Sequence, residues 1–325
     1  MSRLSPRIRD YVWAGLALVL LLLVPLVSDR PVARDFIMFT MAYALLAMSL
    51  NLLVGYTGLV SFGHAMFFAT GSYAFGLAMQ SGHFSIPAAF VLAIAATALI
   101  ALVIGAICVR LNEIYFAFLT LAFQMLIYNL ILAWVSVTGG DQGLMGGIPR
   151  PKFLGIDLAD RMQLYIFCCV VFLACMLIMR QIVVSPFGYT LRLIRDNEDR
   201  AAFLGVDVFR AKLTCFVISA CMAAVGGILL SLFVSGAYPN FGFWTTSGEA
   251  IFMIMMGGTG VFVGPLLGAV IFRILNDVIV TYTEHTELVL GIVVLIFVLG
   301  LRKGLLDVVA EQIERRRDAA RRRAA

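Results

Sequence analysis

Phe36–Val109 reads FIMFTMAYALLAMSLNLLVGYTGLVSFGHAMFFATGSYAFGLAMQSGHFSIPAAFVLAIAATALIALVIGAICV, 74 residues without one Asp, Glu, Lys or Arg. Lipid offers backbone N–H and C=O groups no partner, so a run this apolar crosses a bilayer as helices that satisfy them internally. A span takes roughly 20 apolar residues, so the run holds about three. Gly55-Tyr56-Thr57-Gly58 and Gly82-His83-Phe84-Ser85 are its natural breaks, giving spans over 36–55, 59–79 and 86–109.

The rest of the chain has the same character. Of its 325 residues 62% are hydrophobic and 13% charged, against about 25% charged in soluble proteins. No segment is long and polar enough to be a soluble domain. Further spans are expected at 114–137, 162–184 and 213–235, with a Gly- and Pro-containing loop at Gly139–Arg161. Residues 249–275 hold a span interrupted at Gly257-Gly258 and Gly260, and Leu288–Leu301 is a short one. At the start, Arg3, Arg7 and Arg9 precede apolar Tyr11–Val27. This resembles a signal peptide, but no small-residue cleavage site follows, and a retained first helix is expected. The fold class is therefore all-α: a polytopic transmembrane bundle of about eight to ten helices, some broken at glycines. Residues 1–305 form the membrane domain, and 306–325 a basic tail.

Orientation follows from charge. With the N-terminus inside, six crossings return the chain to the inside at Ser185. That places Arg180, Arg192, Arg195, Arg200, Arg210 and Lys212 in the cytoplasm, with the arginine-rich end from Arg302, as the positive-inside rule requires. An inside C-terminus needs either three crossings after residue 247 or one plus a re-entrant segment. The net charge of +5 is accounted for by this flanking of spans and does not call for a nucleic acid. The six cysteines form no CxxC pair and read as packing residues. The three histidines are too scattered for a metal site.

The one long polar interruption is Ser185–Lys212, SPFGYTLRLIRDNEDRAAFLGVDVFRAK, and the next 36 residues carry no charge. Ser185 with Pro186 can open a helix. Asp196 can cap a second, with Glu198 and Asp199 in its first turn and Gly205 closing it in a left-handed turn. Ala201, Ala202, Phe203, Leu204 and Val206 would form one small apolar face. Two capped helices of mixed charge fit a protein socket better than a lipid anchor.

Arg195-Asp196-Asn197-Glu198, followed by Ala201, Ala202 and Gly205, resembles the cytoplasmic segment of bacterial branched-chain amino acid ABC-transporter permeases of the LivM type. The stretches Ser49–Gly58, Ser61–Ala65, Tyr115–Ala117 with Thr120–Ala122, Thr138–Leu144 and Gly257–Gly268 resemble the same family, in order, over residues 36–305. The resemblance implies that Arg195, Asp196, Glu198, Ala201, Ala202 and Gly205 couple to ATPase subunits. It also implies a second related permease subunit, two ABC ATPases and an extracytoplasmic substrate-binding protein meeting the loop Gly139–Pro149. The implied substrate is Leu, Ile or Val, although the family includes importers of urea, amides and aromatic acids. The implied location is the inner membrane, with both termini cytoplasmic.

Two glycine breaks, Thr57-Gly58-Leu59-Val60 and Thr259-Gly260-Val261-Phe262, look like corresponding points in two halves. Paired broken segments point to a substrate route, which nominates Asn51, Gly55, Thr57, Gly58, Ser61, Gly63, His64, Gly257, Gly258, Gly260 and Gly264 as pathway residues. The competing reading of Gly260, Gly264 and Gly268 is close helix packing, and of His64 a hydrogen-bonded structural residue. Glu249 reads as a helix N-terminal acid. No lysine sits in a Gly-Lys-Ser/Thr phosphate cradle, so no cofactor is expected on this chain and ATP would be used by partners. No nucleophile–base constellation suggests an enzyme. The alternative class is an ion-coupled secondary transporter. Its best support is Arg273 and Asp277, four apart, which otherwise form a structural ion pair.

Overall fold

The structure, a computed structural model, describes residues 31–111, 113–144, 146–150, 152–153, 156–283, 285–300, 304–307 and 311. The expected first helix and nearly all of the basic tail lie outside them. Nine helices of 14 residues or more are found among the described residues. They are α1 (Pro31–Thr57), α2 (Ala65–Gln80), α3 (Ile86–Cys108), α4 (Glu113–Ala133), α6 (Arg161–Val184), α9 (Val208–Val234), α10 (Trp244–Gly257), α11 (Gly264–Tyr282) and α12 (Thr286–Gly300). Three short ones, α5 (Val135–Thr138), α7 (Pro186–Asp196) and α8 (Glu198–Phe203), sit in the polar connections. The loop before α6 holds a two-residue antiparallel ladder, β1 (Lys152–Phe153) against β2 (Ile156–Asp157).

Six helices, α1, α3, α4, α6, α9 and α11, are long and apolar enough to cross a membrane. The chain is a polytopic helical membrane protein. Helices α3 and α4 leave Val91, Leu99, Val103, Phe118, Leu126 and Leu130 exposed, as expected where the surroundings are lipid tails as apolar as Leu. Helix α9 is the centre of the bundle. It runs antiparallel to α1: Gly226 lies against the Ala42 carbonyl, Ser219 against Ser49 and Cys215 against Leu52. On its other side Gly227 lies against the Phe68 carbonyl of α2.

The expected span over 59–79 is corrected. Residues 58–64 are not helical, and α2 begins only at Ala65. A span of 21 helical residues contracts to 16, or about 24 Å at 1.5 Å per residue, short of the roughly 30 Å hydrocarbon thickness. Helix α10 is shorter still at 14 residues, and it too follows a non-helical stretch, 235–243, that holds only a 3₁₀ turn at Pro239–Gly242. The starts of these two short helices meet inside the bundle. The Ala65 N–H donates to Ser247 Oγ (2.9 Å), Ser247 Oγ donates to Gln124 Oε1 (2.9 Å), and Gln124 Nε2 donates to the Gly242 carbonyl (3.0 Å).

A long helix, a non-helical entry and a short buried helix therefore occur twice, as α1–α2 and α9–α10, and since α1 and α9 are antiparallel the two copies are inverted. This revises the expected correspondence. The break at 58–64 is matched by 235–243, whereas Gly258–Val263 is the turn joining α10 to α11.

The two ends of the bundle are distinct. One carries α7, α8, the C-termini of α1 and α6, the start of α9 and the α10–α11 turn; residues 304–307 return to it, with Gly304 against Gly258. Among the described residues three helices, α10, α11 and α12, come after the 235–243 entry, and of these α11 is long and apolar enough to cross a membrane by itself. The opposite end carries the 134–160 loop. It is stitched to the second entry by Leu144 N–H to Ala237 O (2.9 Å) and Ile148 N–H to Ser235 O (3.1 Å). Arg150 Nη2 donates to the Phe233 carbonyl at the end of α9 (3.2 Å).

Candidate functional site

The segment between α6 and α9 folds by local rules. Ser185 Oγ accepts from the Gly188 N–H (3.4 Å) with Pro186 in the first turn, opening α7. Its buried residues, Gly188, Leu191 and Ile194, share one face against the bundle. The cap of α8 is Asn197, whose Oδ1 accepts from the Arg200 N–H (2.7 Å); Asp196 is the last residue of α7. Both residue types cap well, so the one-residue correction is set by where α7 stops. Gly205, at φ +85°, closes α8. Gly205 N–H donates to Ala202 O (2.9 Å) and Val206 N–H to Ala201 O (3.1 Å), the two bonds of a Schellman motif.

The six residues expected to couple divide. Three turn toward the bundle. Ala201 is fully buried. Glu198 pairs with Lys212, whose side chain is 7% exposed. Arg195 Nη1 donates to the Gly55 carbonyl at the end of α1 (2.5 Å). Asp196 is exposed and paired with Arg195 (3.3 Å). Ala202 and Gly205 face outward with Phe203, 91% exposed, and Leu204, 68% exposed. The single apolar face expected of Ala201–Val206 is therefore split. Ala201 and Val206 pack inward, while Ala202, Phe203 and Leu204 form an outward knob. Lys212 joins the inward group: a lysine near a span end ordinarily snorkels outward, but here Glu198 draws it in.

A cavity of about 470 Å³ lies between this segment and the bundle, lined among others by Thr57, Gly58, Tyr115, Arg195, Glu198 and Lys212.

The pathway candidates fall into two groups. At the α7 end, Asn51 Nδ2 donates to the Thr259 carbonyl (3.5 Å), and Gly55 lies against the same oxygen, so the end of α1 adjoins the α10–α11 turn; Thr57 and Gly58 line the cavity beside Arg195. Asp307 accepts from the Gly260 N–H (3.3 Å) and the Val261 N–H (3.2 Å). Gly257 and Gly264 touch backbone to backbone, as do Gly268 and Met253, which is what α10 needs to lie against α11. Deeper in the bundle, Ser61, Gly63 and His64 are fully buried, Gly63 against the Thr120 carbonyl.

His64 Nε2 sits 3.1 Å from Ser49 Oγ and 3.2 Å from Ser219 Oγ. Both hydroxyls already donate to carbonyls, of Leu46 and Ser49. The network therefore assigns the proton to Nε2, and the ring ties α1, α2 and α9 together.

Glu249 is corrected. Helix α10 begins at Trp244, so the carboxylate lies beyond its first turn. It lines a cavity of about 90 Å³ with Tyr43, Arg273 and Asn276. Arg273 and Asp277 form the expected i,i+4 pair (3.1 Å), and Arg273 also lies 4.0 Å over the Phe39 ring. No group of His, Cys, Asp and Glu among the described residues could hold a metal ion.

Comparison with known proteins agrees with this architecture. LivM of Escherichia coli (strain K12), a high-affinity branched-chain amino acid transport system permease protein, is 26% identical over 314 aligned positions, covering 88% of this chain and 73% of that protein. A probable LivM permease of Methanocaldococcus jannaschii is 23% identical over 77% of this chain and 82% of its own length. LivH of Escherichia coli (strain K12), also a permease protein of the high-affinity branched-chain system, is 26% identical over 81% and 91%. The family model described as branched-chain amino acid transport system / permease component matches residues 32–299, nearly the whole described bundle, and the chain belongs to that family.

Proposed function

We propose that this chain is the membrane-spanning subunit of an ATP-driven importer, and that separate ATPase subunits dock on α8 and the turn after it. The observation that carries this reading is the outward knob Ala202–Gly205. Its apolar side chains are exposed, yet Ala201, the Glu198–Lys212 pair and a Schellman turn hold its backbone firmly. An apolar anchor on a pre-organised frame is what a protein socket requires.

The α7 end is cytoplasmic in this reading. Arg110, Arg180, Arg192, Arg195, Arg200, Arg210 and Lys212 lie there, against Arg34, Arg150, Lys152 and Arg161 at the other end, the asymmetry of a positive-inside protein. The membrane is the bacterial inner membrane. Without a phosphate cradle the chain performs no chemistry of its own; ATP binding draws two ATPases together, and α8 passes the motion on. A second, related permease completes the membrane unit. An extracytoplasmic binding protein meets the stitched loop at 139–150. The cargo is a branched-chain or chemically related amino acid, the class carried by the systems to which the LivM and LivH relatives belong.

The ion-coupled alternative would rest on Arg273 and Asp277, but these neutralise each other and Asp277 is 44% exposed.

Docking is tested by co-purification of the ATPase subunits with the permease. Ala202→Asp puts a charge on the knob, and Gly205→Pro cannot adopt φ +85°. Both are expected to lose the ATPases while the protein still inserts; unchanged co-purification of both variants would refute the docking site.

A further inference from the structure

We propose that Arg195 is a positioning residue, the strut that carries movement of α7 and α8 into the end of α1 and the α10–α11 turn, and that it is not itself a contact for the ATPase. The inference rests on the docking reading above and assigns a different job to one residue of the same segment.

The geometry is specific. Helix α1 ends at Thr57, so the Gly55 carbonyl is among the last four, which have no partner inside the helix. Arg195 Nη1 donates to that carbonyl (2.5 Å), and its positive charge lies at the negative end of the helix dipole. Its Nε and Nη2 both reach Asp196 Oδ1 (3.4 and 3.3 Å), which fixes the plane of the fork. The stem passes over Gly58, where a Cβ would stand 3.2 Å from Arg195 Cγ. The end of α1 is thus held by a guanidinium on one side and meets the α10–α11 turn on the other. A Cβ on Gly55 would be 2.9 Å from the Thr259 carbonyl, and Asn51 bonds the same oxygen.

Arg195, Gly55 and Thr259 therefore form one line from the docking segment through the end of α1 to the α10–α11 turn. Other hydrogen bonds and ion pairs of α7 and α8 stiffen the platform. Arg192 Nη2 donates to the Val183 carbonyl (2.9 Å), and Glu198 is tied to Lys212. Arg192 also meets the end of α1, its guanidinium 5.4 Å from the Tyr56 ring centroid. Among the described residues, however, Arg195 alone of the segment's cations hydrogen-bonds an α1 carbonyl, and it is the link that joins displacement of α8 to Gly58 and Thr259. A planar fork suits this better than an ammonium, because it can hold Gly55 and Asp196 at once.

The test uses the assembled transporter with its ATPases and binding protein, in proteoliposomes. Amino-acid uptake, ATP hydrolysis and ATPase retention are measured together for Arg195→Gln and Arg195→Lys, with Ala202→Asp alongside. Arg195→Gln is expected to retain its ATPases and hydrolyse ATP while uptake per ATP falls about tenfold or more, the scale of one charge-assisted hydrogen bond. Arg195→Lys, which keeps the charge but not the fork, is expected to lose uptake per ATP by a smaller factor. It supplies the answer if the glutamine variant does not assemble. Loss of the ATPases from either Arg195 variant, or unchanged uptake per ATP in both, overturns the strut. If Ala202→Asp keeps its ATPases, the docking reading fails instead, whatever Arg195 does.

Discussion

Replacing Phe203 and Leu204 together by Asp is expected to weaken ATPase association by at least about a hundredfold. Truncating an anchor in a protein interface typically costs about 2–4 kcal/mol, and each 1.4 kcal/mol is about tenfold; a carboxylate in the same pocket adds a desolvation cost. The permease itself should be indifferent to the change. Phe203 is 91% and Leu204 68% exposed, and surface substitutions of this kind usually stay within about 0.5 kcal/mol. Titration of purified ATPase onto the detergent-solubilised permease reads the first effect, and thermal unfolding of the permease alone reads the second. Retained ATPase binding, with weaker partition onto lipid vesicles instead, would mean that the knob dips into a membrane.

The second large effect separates glycines that pack from glycines at the breaks. Gly227→Leu drives a side chain into the Phe68 carbonyl in the middle of the bundle. Because overpacking a close-packed core costs about 1–3 kcal/mol or more, this variant is expected to lose most of its folded, monodisperse protein. Gly260 is exposed, and its Cβ would first meet the end of the Asp307 side chain, at 3.0 Å. Gly58 stands at φ +77°, where a side chain costs about 1–2 kcal/mol, and its nearest neighbour is the flexible Arg195 stem, 3.2 Å from a Cβ. Gly58→Leu and Gly260→Leu are therefore expected to assemble with their ATPases and lose uptake at least several-fold. Paired measurements of monodisperse yield and ATP-driven uptake check this. If both break variants simply fail to fold, the glycines serve packing alone.

How much of this was legible in the sequence depended on whether the cause was local. The spans at 86–109 and 162–184 agree with α3 and α6 to within one residue at each end, because Pro87 and Asp160 open them and polar turns close them. The segment 59–79 did not, because nothing between Gly58 and His64 except one glycine speaks against helix. Its unwinding is enforced from outside, by Gly63 on Thr120 and by Ala65 on Ser247. At 235–243, Gly236, Pro239 and Gly242 mark a loop in the sequence; that this loop enters the bundle as the counterpart of 58–64 was not legible, and a likeness of short glycine strings paired the wrong breaks. In Ser185–Lys212 the caps and the left-handed Gly205 were readable residue by residue. Which charges face inward was not: Arg195, Glu198 and Lys212 look like solvated charges until α1 and α9 stand beside them.

The central claim is that this bundle moves an amino acid on energy supplied by other subunits. Uptake of labelled leucine, isoleucine or valine into proteoliposomes holding the permease pair, with binding protein outside and ATP inside, measures it directly. The expected result is uptake that needs ATP and both ATPases, and that continues when ion gradients are collapsed. Uptake that persists without the ATPases and follows an ion gradient would contradict it.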